Sequence, residues 1–117
     1  MPQHQNRTAA KRSEHYHSVQ SESKALIHSG AALLKTALIN NNSGADLYVQ
    51  LFDAAAEPEA GTIPLLSVPL TAVTVGSFKF NQRLSTGIFI ALSTEQFSYA
   101  DADAAGSLNV EFKKLVN

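Results

Sequence analysis

Cysteine is absent from this chain of 117 residues. Disulfides and thiolate-ligated metal centres are therefore excluded, and the redox state of the compartment stays undetermined. No apolar run approaches the roughly 18–20 residues that a membrane-spanning helix needs. The first residues also lack the apolar core that a secretory signal requires. From these absences we expect a soluble protein that is made in the cytoplasm.

Charged residues are scarce. Asp, Glu, Lys and Arg make up 16% of the chain, against roughly 25% in ordinary globular proteins. The net charge of −1 gives no general attraction to nucleic acid or to anionic lipid. Residues 1–24 hold four basic and two acidic side chains, whereas residues 25–117 hold five basic and eight acidic ones. This balance is typical of a small β-rich domain, or of a subunit that hides part of its surface in an assembly.

Patterns that carry catalysis are also missing. The chain has no Gly-x-Ser-x-Gly elbow, no phosphate-binding glycine loop and no histidine after His28. Carboxylates cluster in two loops, where acid–base pairs could form, but solvated loop charges are the simpler interpretation. These carboxylates are Asp53, Glu57, Glu59, Asp101 and Asp103. We therefore expect no enzyme activity and no cofactor.

One histidine pair could bind a metal ion. His15 and His17 would share one face of a strand, and His4 or His28 could add a third ligand. The surrounding segment lacks the supporting hydrogen-bond partners that a specific site needs. We expect solvent-exposed histidines and no metal site.

Short strands separated by turns are predicted over most of the chain. Leu34–Ala54 is the most informative stretch, because Asn40–Gly44 is typical of a tight turn between two strands that would form a hairpin. A helix would also fit Ala31–Ile39, but the turn that follows favours a strand. Leu47–Phe52, the expected partner, alternates with the period of a pleated strand.

Later segments continue this pattern. Pro64 and Pro69 predict that the strand within Ile63–Leu70 lies at a sheet edge, and Gly76 predicts a bulge in the next strand. Ile88–Ser93 is the most apolar run and is expected to be a central strand. Leu108, Val110 and Phe112 indicate a half-buried final strand. The expected fold is all-β: a single antiparallel β-sandwich or jelly-roll-like domain.

The beginning of the chain differs from this body. We divide the chain into a flexible, polar and basic N-terminal arm at residues 1–24 and a β-sandwich domain at residues 25–117. The arm has too few apolar residues to offset its ordering entropy, so it should become ordered only on a partner. The candidate partner-binding residues are Arg7, Lys11, Arg12, Tyr16 and Val19.

A family resemblance is carried by Gly30–Ala54, which reads GAALLKTALINNNSGADLYVQLFDA. This stretch resembles small β-sandwich structural proteins encoded among the virion genes of tailed bacteriophages. Gly61–Pro69, Ser85–Thr94 and Leu108–Phe112 look similar in the same order. The likeness covers residues 25–113 and leaves the arm outside.

This resemblance implies a non-enzymatic virion component, present in many copies. It implies a capsid decoration protein, a minor capsid protein or a head-to-tail connector, located in the virion after synthesis in the host cytoplasm. The implied partners are copies of itself and the major capsid, portal or tail subunits, with no nucleic acid and no membrane. An alternative is a host-surface or carbohydrate-binding module of a tail fibre, which would use the loops Asp53–Gly61 and Thr94–Ser107.

Overall fold

A computed structural model describes residues 13–103 and 106–115. These residues form eight strands and no helix. The strands are β1 (Glu14–His17), β2 (Lys24–Ser29), β3 (Ala32–Asn41), β4 (Leu47–Phe52), β5 (Leu66–Leu70), β6 (Thr74–Leu84), β7 (Gly87–Ser93) and β8 (Gly106–Lys114). Alternation of apolar and polar residues explains most of them, because one face of each sheet is buried.

The strands form two four-stranded antiparallel sheets. Sheet A has the order β1-β8-β3-β6 and sheet B has the order β2-β7-β4-β5. The pairs β4–β5, β3–β6, β2–β7 and β1–β8 are nested, as in one long two-stranded ribbon that folds over on itself. This is the strand order of a jelly roll. The expected all-β sandwich is therefore confirmed.

Aliphatic side chains fill the space between the sheets. Leu34 and Ile39 of β3 face Leu51 of β4 and Ile90 and Leu92 of β7, and all five are fully buried. Every residue of β7 is buried, which confirms the prediction of a central strand. The core holds the two sheets together over their whole length.

The expected hairpin between β3 and β4 is wrong. These strands lie in different sheets, and β3 pairs with β6 and β8 instead. The turn carries the chain across the sandwich, and the buried Asn41 amide holds it there by donating to the carbonyl oxygens of Ala45, Leu70 and Thr71. Polar turn residues predicted a reversal of direction, but pairing is decided by which faces must be buried against each other.

Two further predictions concern the edge strands. The strand with Pro69 does lie at the edge of sheet B, where a missing N–H costs no ladder bond. The bulge expected at Gly76 is wrong, because the register shifts opposite Leu34–Thr36, where Asn81 has φ = 49°. Gly76 instead allows a close approach: a Cβ there would lie 2.6 Å from the Phe78 ring.

Strand β1 lies within the segment that was assigned to the arm. Glu14–His17 pairs with β8 at the edge of sheet A, so the sheet begins before residue 25. Tyr16 alternates inward and packs against the core, and its hydroxyl donates to Glu22 Oε2 at 2.6 Å. Polar sequence hid this strand, because an edge strand with one packed aromatic ring needs little apolar content.

Candidate interaction surfaces

The outer face of sheet B is covered by the chain itself. Residues 53–65 and 94–103, called the cover below, lie over β4 and β7. They enclose a second apolar cluster in which Phe52, Phe89 and Tyr99 meet edge to face. Backbone hydrogen bonds from Tyr99 to Thr62 and from Gly61 to Tyr99 join the two parts of the cover. The cover therefore occupies this face.

Gln50 fixes the cover to sheet B. Its side chain points outward from β4 and is fully buried beneath the cover. Its Nε2 donates to the carbonyl oxygens of Glu95 and Ser98 at 2.8 and 3.1 Å, while Ser93 Oγ also donates to these two carbonyls. A buried amide that satisfies loop carbonyls in this way stabilises one loop conformation.

Lys24 joins β2 to both parts of the cover. Its Nζ lies 2.5 Å from Asp101 Oδ2 and 3.1 Å from Glu57 Oε2. The Tyr99 hydroxyl donates to Glu57 Oε2 at 2.8 Å. This hydrogen bond, and then the Lys24 ammonium, lower the pKa of Glu57, while burial and the same hydrogen bond raise the pKa of Tyr99. Glu57 and Asp101 are thus paired ions in a structural bridge.

Asp53 holds the turn between β6 and β7. Its carboxylate accepts backbone hydrogen bonds from Ser85, Thr86 and Gly87 at 3.2, 2.8 and 3.2 Å, and a fourth from Ser85 Oγ. Burial raises the pKa of Asp53, but these hydrogen bonds together outweigh it, so the net pKa is lowered. The predicted loop carboxylates therefore serve as loop fasteners where the structure brings them into contact.

The outer face of sheet A is open. A shallow groove of about 240 Å³ crosses it between His15, His17, Leu38, Ser77 and Asn109. The two imidazole rings are parallel with centroids 6.1 Å apart, and His17 Nδ1 lies 2.7 Å from Asn109 Oδ1.

The third histidine ligand does not reach this groove. His28 lies in sheet B, with its ring 5.3 Å from that of Phe112. His4 lies outside the described residues. Across residues 13–103 and 106–115, no three metal-ligating side chains come together.

The candidate partner-binding residues are not brought together as one site. Arg7, Lys11 and Arg12 lie outside the described residues. Tyr16 makes contacts within the chain, and burial and the hydrogen bond to Glu22 raise its pKa to about 12. Val19 is 96% exposed in the connection between β1 and β2. Val19 alone among the described pair presents a free side chain.

A second groove, of about 330 Å³, opens beside the cover. It is lined by Phe52, Pro58, Ile63 and Leu65 and by the backbone near Asp53. The loops that were considered for carbohydrate binding therefore have one concave apolar surface. Their role as a cover was missed, although a run that is apolar on both faces, as in β7, indicates a strand buried on both sides.

Comparison with known proteins gives little further information. No protein-family model and no curated protein matches the chain. Among solved structures, the chain is similar to the coat protein of Tobacco streak virus, with 12% identity and a TM-score of 0.42 over 92% of this chain and 89% of that chain. Because both values are low, the fold class rests on the strand order and not on this likeness. None of the described segments is a helix with the length and apolarity for crossing a membrane.

Proposed function

We propose that this chain is a non-enzymatic structural protein of a tailed-phage virion. The carrying observation is a jelly roll whose interior is filled with aliphatic side chains and whose sheet A stays open on its outer face. Jelly rolls of this kind occur in viral capsid and lectin domains. The resemblance of Gly30–Ala54 to phage virion proteins supports the capsid choice over the lectin choice.

Side-chain chemistry in the described residues also supports a structural role. The buried polar side chains, which are Ser23, Asn41, Gln50 and Ser93, all bond to loops or to neighbouring strands. Carboxylates at the cover are paired with Lys24 or with backbone N–H groups. These contacts stabilise the fold and leave no nucleophile beside a base.

Within the virion, we propose a capsid-associated decoration or minor capsid role, or a head-to-tail connector. The partners would be copies of the chain and major capsid, portal or tail subunits. The basic residues Arg7, Lys11 and Arg12 precede β1, which lies at the edge of sheet A, so they start from a side where a neighbour can approach.

Mass spectrometry of purified particles from a lysate of the phage or strain that carries the gene tests the main proposal. The chain should appear at a fixed ratio to the major capsid protein. Absence from particles, with abundant free protein in the lysate, would contradict a virion role.

Deletions test the contribution of the basic segment. Removing residues 1–12 keeps β1 and should lower occupancy on particles without changing thermal stability, whereas removing residues 1–23 should lower both. Unchanged occupancy after the shorter deletion would show that the basic residues make no contact with the particle.

The alternative function, a carbohydrate-binding module, has one supporting observation. The cover exposes Phe97 by 77% and Ile63 by 80%, and Ile63 lines the 330 Å³ groove. Aromatic and apolar side chains beside a groove suit the flat apolar face of a sugar. A glycan array probed with the isolated protein distinguishes the two functions, since saturable glycan binding by the monomer would favour the module.

A further inference from the structure

The open face of sheet A carries positive charge. Strand register places four cations on it and one carboxylate: Lys35, Lys79, Arg83 and Lys113, with Glu111. Lys113 and Arg83 flank Leu33 on its two sides, while the neighbouring Leu34 is buried in the core. With neutral histidines, the described residues give this face a formal excess of three positive charges.

The cover on the opposite side of the sandwich carries negative charge. Residues 53–65 and 94–103 contain six carboxylates and no lysine or arginine: Asp53, Glu57, Glu59, Asp101, Asp103 and Glu95. Lys24 from β2 contacts two of them. Even with Lys24 included, five negative charges remain in excess.

These two surfaces are separated by the thickness of the molecule. The sheets of a sandwich lie about 10 Å apart, and the cover adds a further layer outside sheet B. The Debye length at 0.1 M salt is also about 10 Å. Each surface therefore presents its own sign of charge to an approaching molecule, although the chain as a whole has a net charge of only −1.

We propose that the open face of sheet A in one copy docks on the cover of a second copy. This proposal deepens the proposed function, on which it rests, because it names the surfaces through which copies of a virion component would meet. Opposite charges match in this head-to-tail arrangement, whereas two open faces or two covers would repel each other. Such a heterologous contact repeats, and gives a ring or an open stack.

Exposed apolar side chains lie on both surfaces and fit the same arrangement. Leu38 and Val75 on the open face are 46% and 56% exposed. Phe97 and Ile63 on the cover are exposed to an even greater extent. A contact of this kind combines an apolar centre with a charged rim, which is the usual anatomy of a protein interface. A polyanion such as nucleic acid would satisfy the cations but would leave these apolar side chains exposed.

Sedimentation velocity of the full chain tests the proposal. We expect association at about 0.01 M salt and dissociation at about 1 M salt, where the Debye length falls from about 30 Å to about 3 Å. A face variant carries Lys79→Gln with Arg83→Gln, and a cover variant carries Glu59→Gln with Glu95→Gln. Each should weaken association about tenfold or more. The control, Glu14→Gln with Lys114→Gln, changes charges outside both surfaces and should associate as the unaltered chain does.

Mixing the two variants gives the sharpest result. The face variant keeps an intact cover and the cover variant keeps an intact face, so an equal mixture should form a heterodimer and nothing larger. A mixture that stays monomeric, an unaltered chain that stays monomeric at low salt, or association that ignores both variants would overturn the proposal. Binding of a labelled single-stranded oligonucleotide that is lost only in the face variant would also overturn it. The particle ratio measured by mass spectrometry is independent of these results, so the virion proposal can survive their failure.

Discussion

Replacing Asp53 with asparagine tests how the cover is fastened to the turn between β6 and β7. Asparagine has nearly the same shape, but one of its two terminal atoms is an NH₂ donor. Placed at Oδ2, this donor would face the Ser85 N–H group, so that hydrogen bond would be lost. The remaining bonds to Thr86 and Gly87 would lose the negative charge that strengthens them.

The expected cost follows from these four contacts. A hydrogen bond to a charged group contributes about 1.5–3 kcal/mol when it is buried, and a fraction of that when solvent screens it. Because Asp53 is exposed, we assign about 0.5 kcal/mol to each contact, so the free energy of unfolding should fall by about 2 kcal/mol. Asp46 offers a matched control, because its exposed carboxylate accepts a single backbone hydrogen bond, from Ala72. Asp46→Asn should cost only about 0.5 kcal/mol.

The pH dependence supplies a second signature. The pKa of Asp53 is lowered in the folded chain, so its stabilisation is present above the ordinary value of 3.8 and is lost as the pH falls through the lowered value. Urea unfolding at neutral pH should therefore show the full difference between the unaltered chain and Asp53→Asn. The difference should shrink in strongly acidic solution, where both side chains are neutral. Equal costs at positions 53 and 46, or a difference that does not change with pH, would refute the reasoning.

Three further substitutions probe the backbone and the cover. Val73 is 71% exposed and has φ = 54°, so Val73→Asn should raise the free energy of unfolding by about 1 kcal/mol, measured by urea titration. Gly87→Ala places a Cβ 2.5 Å from the Ala54 oxygen and should cost about 3 kcal/mol, whereas Gly44→Ala, with no atom within 4 Å, should change stability little. Gln50→Met should cost about 2 kcal/mol and speed hydrogen exchange in residues 94–100; unchanged exchange would show that the cover is held by other contacts.

Strand positions could be predicted from the sequence because alternation is a local property. Leu108, Val110 and Phe112 alternate in β8 as expected, and Pro69 correctly indicated an edge. Pairing could not be predicted in the same way. Asn40–Gly44 is typical of a hairpin, yet the strands that flank it entered different sheets, because each had to bury its apolar face against the other across the sandwich.

The interaction surfaces depend even more on three-dimensional structure. Lys79, Arg83 and Lys113 are far apart in the sequence, and only the register of β3 with β6 and β8 places them on one face. Half of the cover could have been inferred, since the apolar residues on both faces of β7 require something to bury its outer side. The identity of that cover, two acidic loops joined through Tyr99, required the fold itself.

The nested strand pairs determine the order in which the newly made chain can close. The innermost pair joins residues as near in sequence as Leu51 and Leu66, whereas the outermost joins Glu14 to Phe112. Strand β1 has β8 as its one neighbour in the sheet, so the first strand to leave the ribosome has no place in the sheet until the last strand has been made. During synthesis, the two ends of the protein are thus the last parts to meet. Any other molecule that offers a strand edge in that interval competes directly with the chain's own C-terminal strand.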